Sequence, residues 1–338
     1  MSRSGLRNTN REESTMPVVS AAEGPTLDRV LDARHRMSPN GLESGAYRRL
    51  HEARTRTAFG SRCQGTHVLT EGRNILASAE LYDLPGTLDG RAVRVCGIGA
   101  LCAEPSPLGR DHARTLVEVL VKDATGRGAE MAILLAGLGA HDERDGFHSI
   151  PSTDLTLVVT ESARHGAPMT MVRAGEKRDS AAIAAMGRVR AAPFRFHLDR
   201  DVDFLEYVIT TRRLLAGFGA AGARQLHFFI AEEGITAAAY VIVSVIGDVW
   251  TLEECGDRDP AGARVGALLQ ALLARDPPER RPTLHACLPP RFLPPQLTIA
   301  SAMPSREFIK VRMLGASATK PLLASNDVLF WRTDTLTI

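Results

Sequence analysis

The sequence predicts an α/β protein of the α+β kind, built on a mixed central sheet flanked by helices, with a second domain of similar make-up in its C-terminal half. Three observations carry this. Between Arg91 and Ala136 the chain reads RAVRVCGIGALCAEPSPLGRDHARTLVEVLVKDATGRGAEMAILLA: an apolar strand, a Pro/Gly loop, an amphipathic helix and a second apolar strand. That order is a β-loop-α-β unit whose loop presents backbone N–H groups at a helix N-terminus, where a pyrophosphate can sit. The 338 residues exceed one ordinary domain of about 150. After Met171 a similar order of helices, antiparallel strands, helix and strand returns, consistent with a structural duplication that left no obvious sequence repeat.

Residues 1–40 are polar and rich in Arg, Ser and Glu, which reads as a flexible arm with a helix around Leu27 to Arg36. A first domain is expected over 41–165. It opens with a helical pattern from Gly45 to Arg56, and then HVLTEG and NILASAELYDL form a hairpin about Glu71-Gly72-Arg73. After a break at Pro85 to Gly90 comes RAVRVCGIGALCA, apolar on both faces as a central strand should be. The next helix carries Ala113, Leu116, Val117, Leu120, Val121 and Ala124 on one stripe, with Arg114, Glu118 and Lys122 opposite. Gly126 and Gly128 end it, AEMAILLAGL supplies the parallel partner strand, and LTLVV (155–159) is expected to close this half. In the second domain, 171–338, helices over 179–191 and 199–215 precede the strands LHFFIAEEG, TAAAYVIVSVI and DVWTLEECG. A helix in AGARVGALLQALLARD and a strand in TLHACLP follow, and PPRFLPPQ is a stiff connector because Pro lacks the N–H that a ladder needs.

Composition narrows the function. Hydrophobic residues are 44% and charged residues 24%, the balance of a soluble globular protein. A net charge of +2, with arginines scattered among 39 acids, gives no basic tract for nucleic acid. Five cysteines (Cys63, Cys96, Cys102, Cys255, Cys287) without CxxC or Cys/His ligand spacing point to a reducing compartment, and no metal is expected. The N-terminus lacks a signal-like apolar run, and AAAYVIVSVIG is too short to span a bilayer. The expectation is therefore a cytoplasmic protein acting on a small molecule, with neither nucleic acid nor membrane as partner.

The segment GIGALCAEPSPLGRDHARTLVEVLVKDATGRGAEMAILLAGLG, followed by DGFHSIP, resembles the central motif of GNAT acyltransferases. These bind acetyl-CoA at an Arg/Gln-x-x-Gly-x-Gly/Ala loop and end the domain with Tyr-x-x-x-Gly-Phe. ILASAELYDL, LEECGDRDPAGARVGALLQALLARDP and the terminal FWRTDTLTI are similar to a two-part group that includes fungal lysine N-acetyltransferases. The resemblance covers residues 45–338 and implies GNAT-like folds for both domains. It also implies acetyl-CoA as acyl donor and a primary amine as acceptor.

Laid on that loop, Leu108 stands where Arg or Gln is usual, Gly109 and Arg110 match, Asp111 replaces Gly, and Ala113 matches. The donor site carried over is therefore Leu108, Gly109, Arg110, Asp111, His112 and Ala113, with Leu101, Cys102 and Ala103 of the preceding strand holding the acyl arm. A carboxylate within ~4 Å of a phosphate charge costs on the order of 4 kcal/mol at an effective dielectric near 20. Asp111 has a second reading, as N-cap of a helix starting at His112. Asp142 stands where the family has its tyrosine acid.

Glu80 and Tyr82, two apart on one strand, share a face and form a candidate base-and-acid pair. Glu253, Glu254, Asp257 and Asp259 crowd a later strand-to-helix loop. They read either as an acidic pocket for a lysine-like ammonium or as capping and pairing with Arg258 and Arg264. The alternative to an N-acetyltransferase is a non-catalytic descendant that keeps the fold for binding or regulation, in keeping with Leu108, Asp111 and Asp142.

Overall fold

The computed structural model describes residues 16–37, 41–135, 146–160, 171–218, 222–305 and 309–336. In chain order the first half contains β1 (Val18–Ala21), α1 (Gly24–Met37), α2 (Ser44–Thr55), α3 (Ala58–Cys63), β2 (Gln64–Glu71), β3 (Asn74–Leu88), β4 (Arg91–Ala103), α4 (Pro107–Gly126), β5 (Met131–Leu134), β6 (His148–Ile150) and β7 (Thr153–Val159). The second half contains β8 (Met171–Ala174), α5 (Ser180–Ala191), β9 (Phe196–Leu198), α6 (Val202–Phe218), β10 (Gln225–Glu233), β11 (Thr236–Ile246), β12 (Val249–Asp257), α7 (Ala263–Leu273), β13 (Thr283–Ala286), β14 (Leu297–Pro304), β15 (Ile309–Met313) and β16 (Val328–Leu329).

Two mixed sheets result. The first runs β1-β2-β3-β4-β5-β15-β6, with β9 on the far end of β3 and β16 beside it; the second runs β14-β7-β13-β12-β11-β10-β8. Each centres on an antiparallel three-strand meander, a crossover helix and a parallel strand: β2-β3-β4, α4, β5 in one, and β10-β11-β12, α7, β13 in the other. The duplicated order legible in the sequence is thus a duplicated topology. The α4 stripe packs on one face of the first sheet, against Ala77, Ala79, Leu81, Ile98 and Leu134. Each large side chain so buried contributes about 1.5–3 kcal/mol. The opposite face carries Tyr82, Leu84, Val95, Ile133, Leu135, Ile150 and Val311, covered by residues of α3, α6 and the C-terminal segment.

Three expectations are corrected. Within residues 1–40 the expected helix is present as α1, with Val30 and Leu31 buried, and the stretch before it, read as a flexible arm, contains β1, which pairs with β2 along Val18–Ala21. LTLVV does not close the first half: β7 lies in the second sheet, between β13 and β14. In exchange, β15 enters the first sheet between β5 and β6, its Ile309 and Val311 adding to the core on the Tyr82 face. A division at residues 165–171 therefore runs across both sheets. Finally, β3 does not break at Pro85, whose carbonyl accepts from Asp199 N at 2.9 Å; the turn is Asp89-Gly90, both at positive φ.

Candidate functional site

The first feature is the C-terminal stretch of β4, beyond its pairing with β5 among the described residues. β4 and β5 pair from Val95↔Met131 to Ile98↔Leu134, and a last bond runs from Leu135 N to Ile98 O. β4 then continues to Ala103 on the β3 side alone, with no β5 partner for Gly99–Ala103 among the described residues. Within that stretch β4 holds one extra residue opposite Ser78–Glu80, and Ala100 adopts a left-handed φ of 44°. Before the bulge, Arg94 and Ile98 turn their carbonyls to the β5 side. One extra residue reverses the alternation, so the N–H groups of Leu101 and Ala103 take the open side. An extended acyl-amide arm can pair there as a strand would.

The second feature is the N-terminus of α4, which differs from the expectation. The helix begins at Pro107, not at His112, and its cap is Ser106, whose Oγ accepts from Gly109 N at 3.0 Å. Asp111 therefore does not cap. It sits inside the helix, exposed and paired with Arg114 at 3.1 Å, and its N–H, like those of His112 and Ala113, belongs to the helical ladder. Leu108 is 63% exposed and Arg110 is exposed, His112 is half-buried, and Gly109 and Ala113 are buried. Gly109 has a steric reason to be Gly: a Cβ there would lie 2.0 Å from Glu104 O.

Glu80 and Tyr82 do meet, and Tyr82 donates its hydroxyl to Glu80 Oε2 in a short bond. Sequence reasoning missed what surrounds them. Arg34 Nη1 lies 3.2 Å from Glu80 Oε1, Arg54 Nη2 3.5 Å from Oε2, and His51 Nδ1 3.6 Å from Oε1. Arg54 Nη2 also donates to Tyr82 OH (2.9 Å), Tyr207 OH (2.5 Å) and Leu336 O (2.6 Å). All of these side chains are buried. Burial alone would raise the Glu80 carboxyl, but Arg54, His51 and Arg34 hold it far below the usual range, while burial pushes the Tyr82 phenol well above its own. A carboxylate so paired has lost the basicity to accept an amine proton, and such a phenol is a weak acid toward a thiolate. The pair is thus a buried strut joining α1, α2, α6 and the C-terminal segment. The missed signal was legible: His51 and Arg54 continue the Ala46, Tyr47, Leu50 stripe of α2, putting two polar groups on a buried face.

In the acidic cluster of the second half, three of the four carboxylates face arginines. Arg200 grips Glu254 through two nitrogens at 2.8 and 2.6 Å, and Tyr240 and Thr333 donate to the same carboxylate. Asp257 accepts from Arg264 N and pairs with its guanidinium, Asp259 accepts from Ala261 N, and Glu253 lies 3.8 Å from both Arg212 and Arg332. The pairing reading holds for Arg264, and the capping reading for Asp259, which is exposed. Asp142 lies outside the described residues. The five cysteines are free thiols, no group of three His, Cys, Asp or Glu among the described residues is placed to hold a metal ion, and no helix there is long and apolar enough to cross a membrane.

No family model and no curated protein sequence matches the chain. Solved structures do. A probable N-acyltransferase from Enterococcus faecalis superposes with a TM-score of 0.63 at 12% identity, over 88% of this chain and 72% of that one. A GCN5-related N-acetyltransferase from Kribbella flavida gives 0.61 at 17% identity, over 89% and 72%. A tandem GNAT protein from the clavulanic acid biosynthesis pathway gives 0.50 at 13% identity, over 89% and 99%. At these identities the likeness is one of fold, and the fold is that of two-part GNAT N-acetyltransferases.

Proposed function

We propose that the protein transfers an acetyl group from acetyl-CoA to a primary amine at the first sheet, with the thioester arm lying along the open edge of β4. The observation that carries this reading is the bulge of β4 at Ala100, which turns the Leu101 and Ala103 amides away from β3, beside the N-terminus of α4. There the Leu101 and Ala103 amides would hold the arm, and an N–H aimed at the thioester oxygen would stabilise the developing oxyanion. A neutral amine attacks the carbonyl carbon, the new C–N bond forms as the C–S bond breaks, the amine proton leaves to water, and coenzyme A departs as the thiol. The Glu80–Arg54 strut fixes the floor of this region and does not carry protons. The division into a donor domain over 41–165 and a companion over 171–338 is part of the same proposal, with β7 and β15 exchanged between them.

Calorimetric titration with acetyl-CoA tests the reading: an enzyme of this class should bind with a constant on the order of 1 μM to 1 mM. Absence of heat at saturating concentrations would overturn it. A second reading, a non-catalytic binding protein, is favoured by one observation, the Ser106 cap on Gly109 N, which occupies a donor that a diphosphate would use. Ser106→Ala separates the two. Tighter acetyl-CoA binding in that variant supports the transferase with a displaceable cap, and no binding in either protein supports the second reading.

A further inference from the structure

Between the two sheets lies a cavity of about 270 Å³, lined by Ile150, Cys287, Phe330, Trp331 and Thr335 among others. Strand register gives its position in the first sheet. Ile309, on its wall, pairs with Ile150, and its neighbour Lys310 pairs with Leu134, so this wall stands on β15 and β6, one residue row beyond the last pair that β5 makes with β4 among the described residues. Ile150 and Ile309 also belong to the core on the Tyr82 face, opposite α4. Thr335 adjoins Leu336, whose carbonyl accepts from Arg54.

Its chemistry is one-sided. Among the described residues no Asp or Glu lines it, and the one charged lining residue there, Arg332, lies 3.5 Å from Asp154 and 3.8 Å from Glu253. Taking a second ammonium into such a wall without a counter-ion would cost several kcal/mol. The same wall favours a neutral amine, the form able to attack.

We infer that this cavity binds the acceptor, and that the acceptor is a primary amine on an aromatic or branched apolar body without a second charge. Naming the occupant an acceptor rests on the transferase reading; the binding itself does not. 2-Phenylethylamine, which has that apolar body, and 1,5-diaminopentane, which carries a second charge, serve as probes. Trp331 is one of two tryptophans, so Trp250→Phe leaves it as the sole fluorophore at the cavity. In that protein 2-phenylethylamine should change Trp331 emission saturably, with and without coenzyme A, and 1,5-diaminopentane should not. Cys287→Phe, which fills the cavity, should weaken the aryl amine by at least about tenfold while the unfolding midpoint stays near that of the parent. Should that variant fail to fold, the parent protein answers instead: 2-phenylethylamine should slow alkylthiolation of Cys287, read by peptide mass. Equal or tighter binding of the diamine, or aryl-amine binding insensitive to both Cys287 measures, overturns the inference. Failure of acetyl-CoA to bind would leave it standing and remove only the transferase reading.

Discussion

Glu80→Gln preserves the side-chain shape and removes one charge from a buried network. The carboxylate stands 3.2 Å from Arg34 and 3.5 Å from Arg54. At an effective dielectric near 20, each contact of that length amounts to about 5 kcal/mol before desolvation. Much of this is offset by the desolvation already incurred, so the observable is the cost of stranding the partners, about 3–5 kcal/mol for one broken buried pair. Two guanidinium groups would be stranded here, and Arg34 Nη2 and Arg54 Nε and Nη1 already find no acceptor among the described residues. The upper part of that range is expected, read as the loss in urea unfolding free energy followed by circular dichroism. The cost should also depend on acidity. A carboxyl held below its ordinary 4.5 contributes stability that is fully present above that pH and is lost as pH falls below it. The gap between wild type and Glu80→Gln should therefore close on acidification. The double variant with Arg54→Met should lose less than the sum of the singles. A loss below about 1 kcal/mol, or abolished acetyl transfer with stability intact, would refute the strut and return Glu80 to catalysis.

The remaining predictions concern the α4 entry and the second Arg–Glu network. Gly109→Ala should destabilise the protein by about 1–3 kcal/mol, because the new methyl meets the Glu104 carbonyl; a thermal midpoint equal to wild type would show that the loop gives way. Asp111→Ala should leave acetyl-CoA affinity within about twofold, since its carboxylate is 66% exposed and engaged with Arg114; a tenfold gain by calorimetry would place it back beside the diphosphate. Burial, with Glu254 nearby, holds the Asp334 carboxyl up at about 6 despite Arg200. A raised carboxyl binds its proton more tightly when folded, so its contribution falls as pH rises from about 4 to 6 and is level above. Relative to Asp334→Asn, wild type should lose about 3 kcal/mol across that window, and parallel curves would contradict it.

Local periodicity made most of the fold legible. The α2 and α4 stripes, the β2–β3 hairpin and the β10–β11–β12 meander each declare themselves in contiguous sequence. Pairing partners do not. Nothing in LTLVV says that its neighbours are β13 and β14, and β14 itself is an edge strand exposed at all but its first residue, so it lacks the alternation that marks a half-buried strand. β15 is short, and its alternation of Ile309 and Val311 with Lys310 and Arg312 has meaning only once β5 and β6 flank it. At the site, Glu80 and Tyr82 were correctly placed on one face, but their role depends on Arg34, His51, Arg54 and Tyr207, brought in from three other helices. The Ser106 cap was hidden because Pro105 and Pro107 make the segment read as loop, whereas Pro107 occupies the first helical turn, where its missing N–H costs nothing.

The most direct test of the account is hydrogen exchange at Leu101 and Ala103 with and without acetyl-CoA. Their amides face away from β3 and have no partner strand among the described residues; they should exchange readily in the free protein, then slow markedly when the thioester arm pairs with them. Unchanged exchange at both positions under saturating acetyl-CoA would contradict the assignment of the β4 edge as the acyl-donor site.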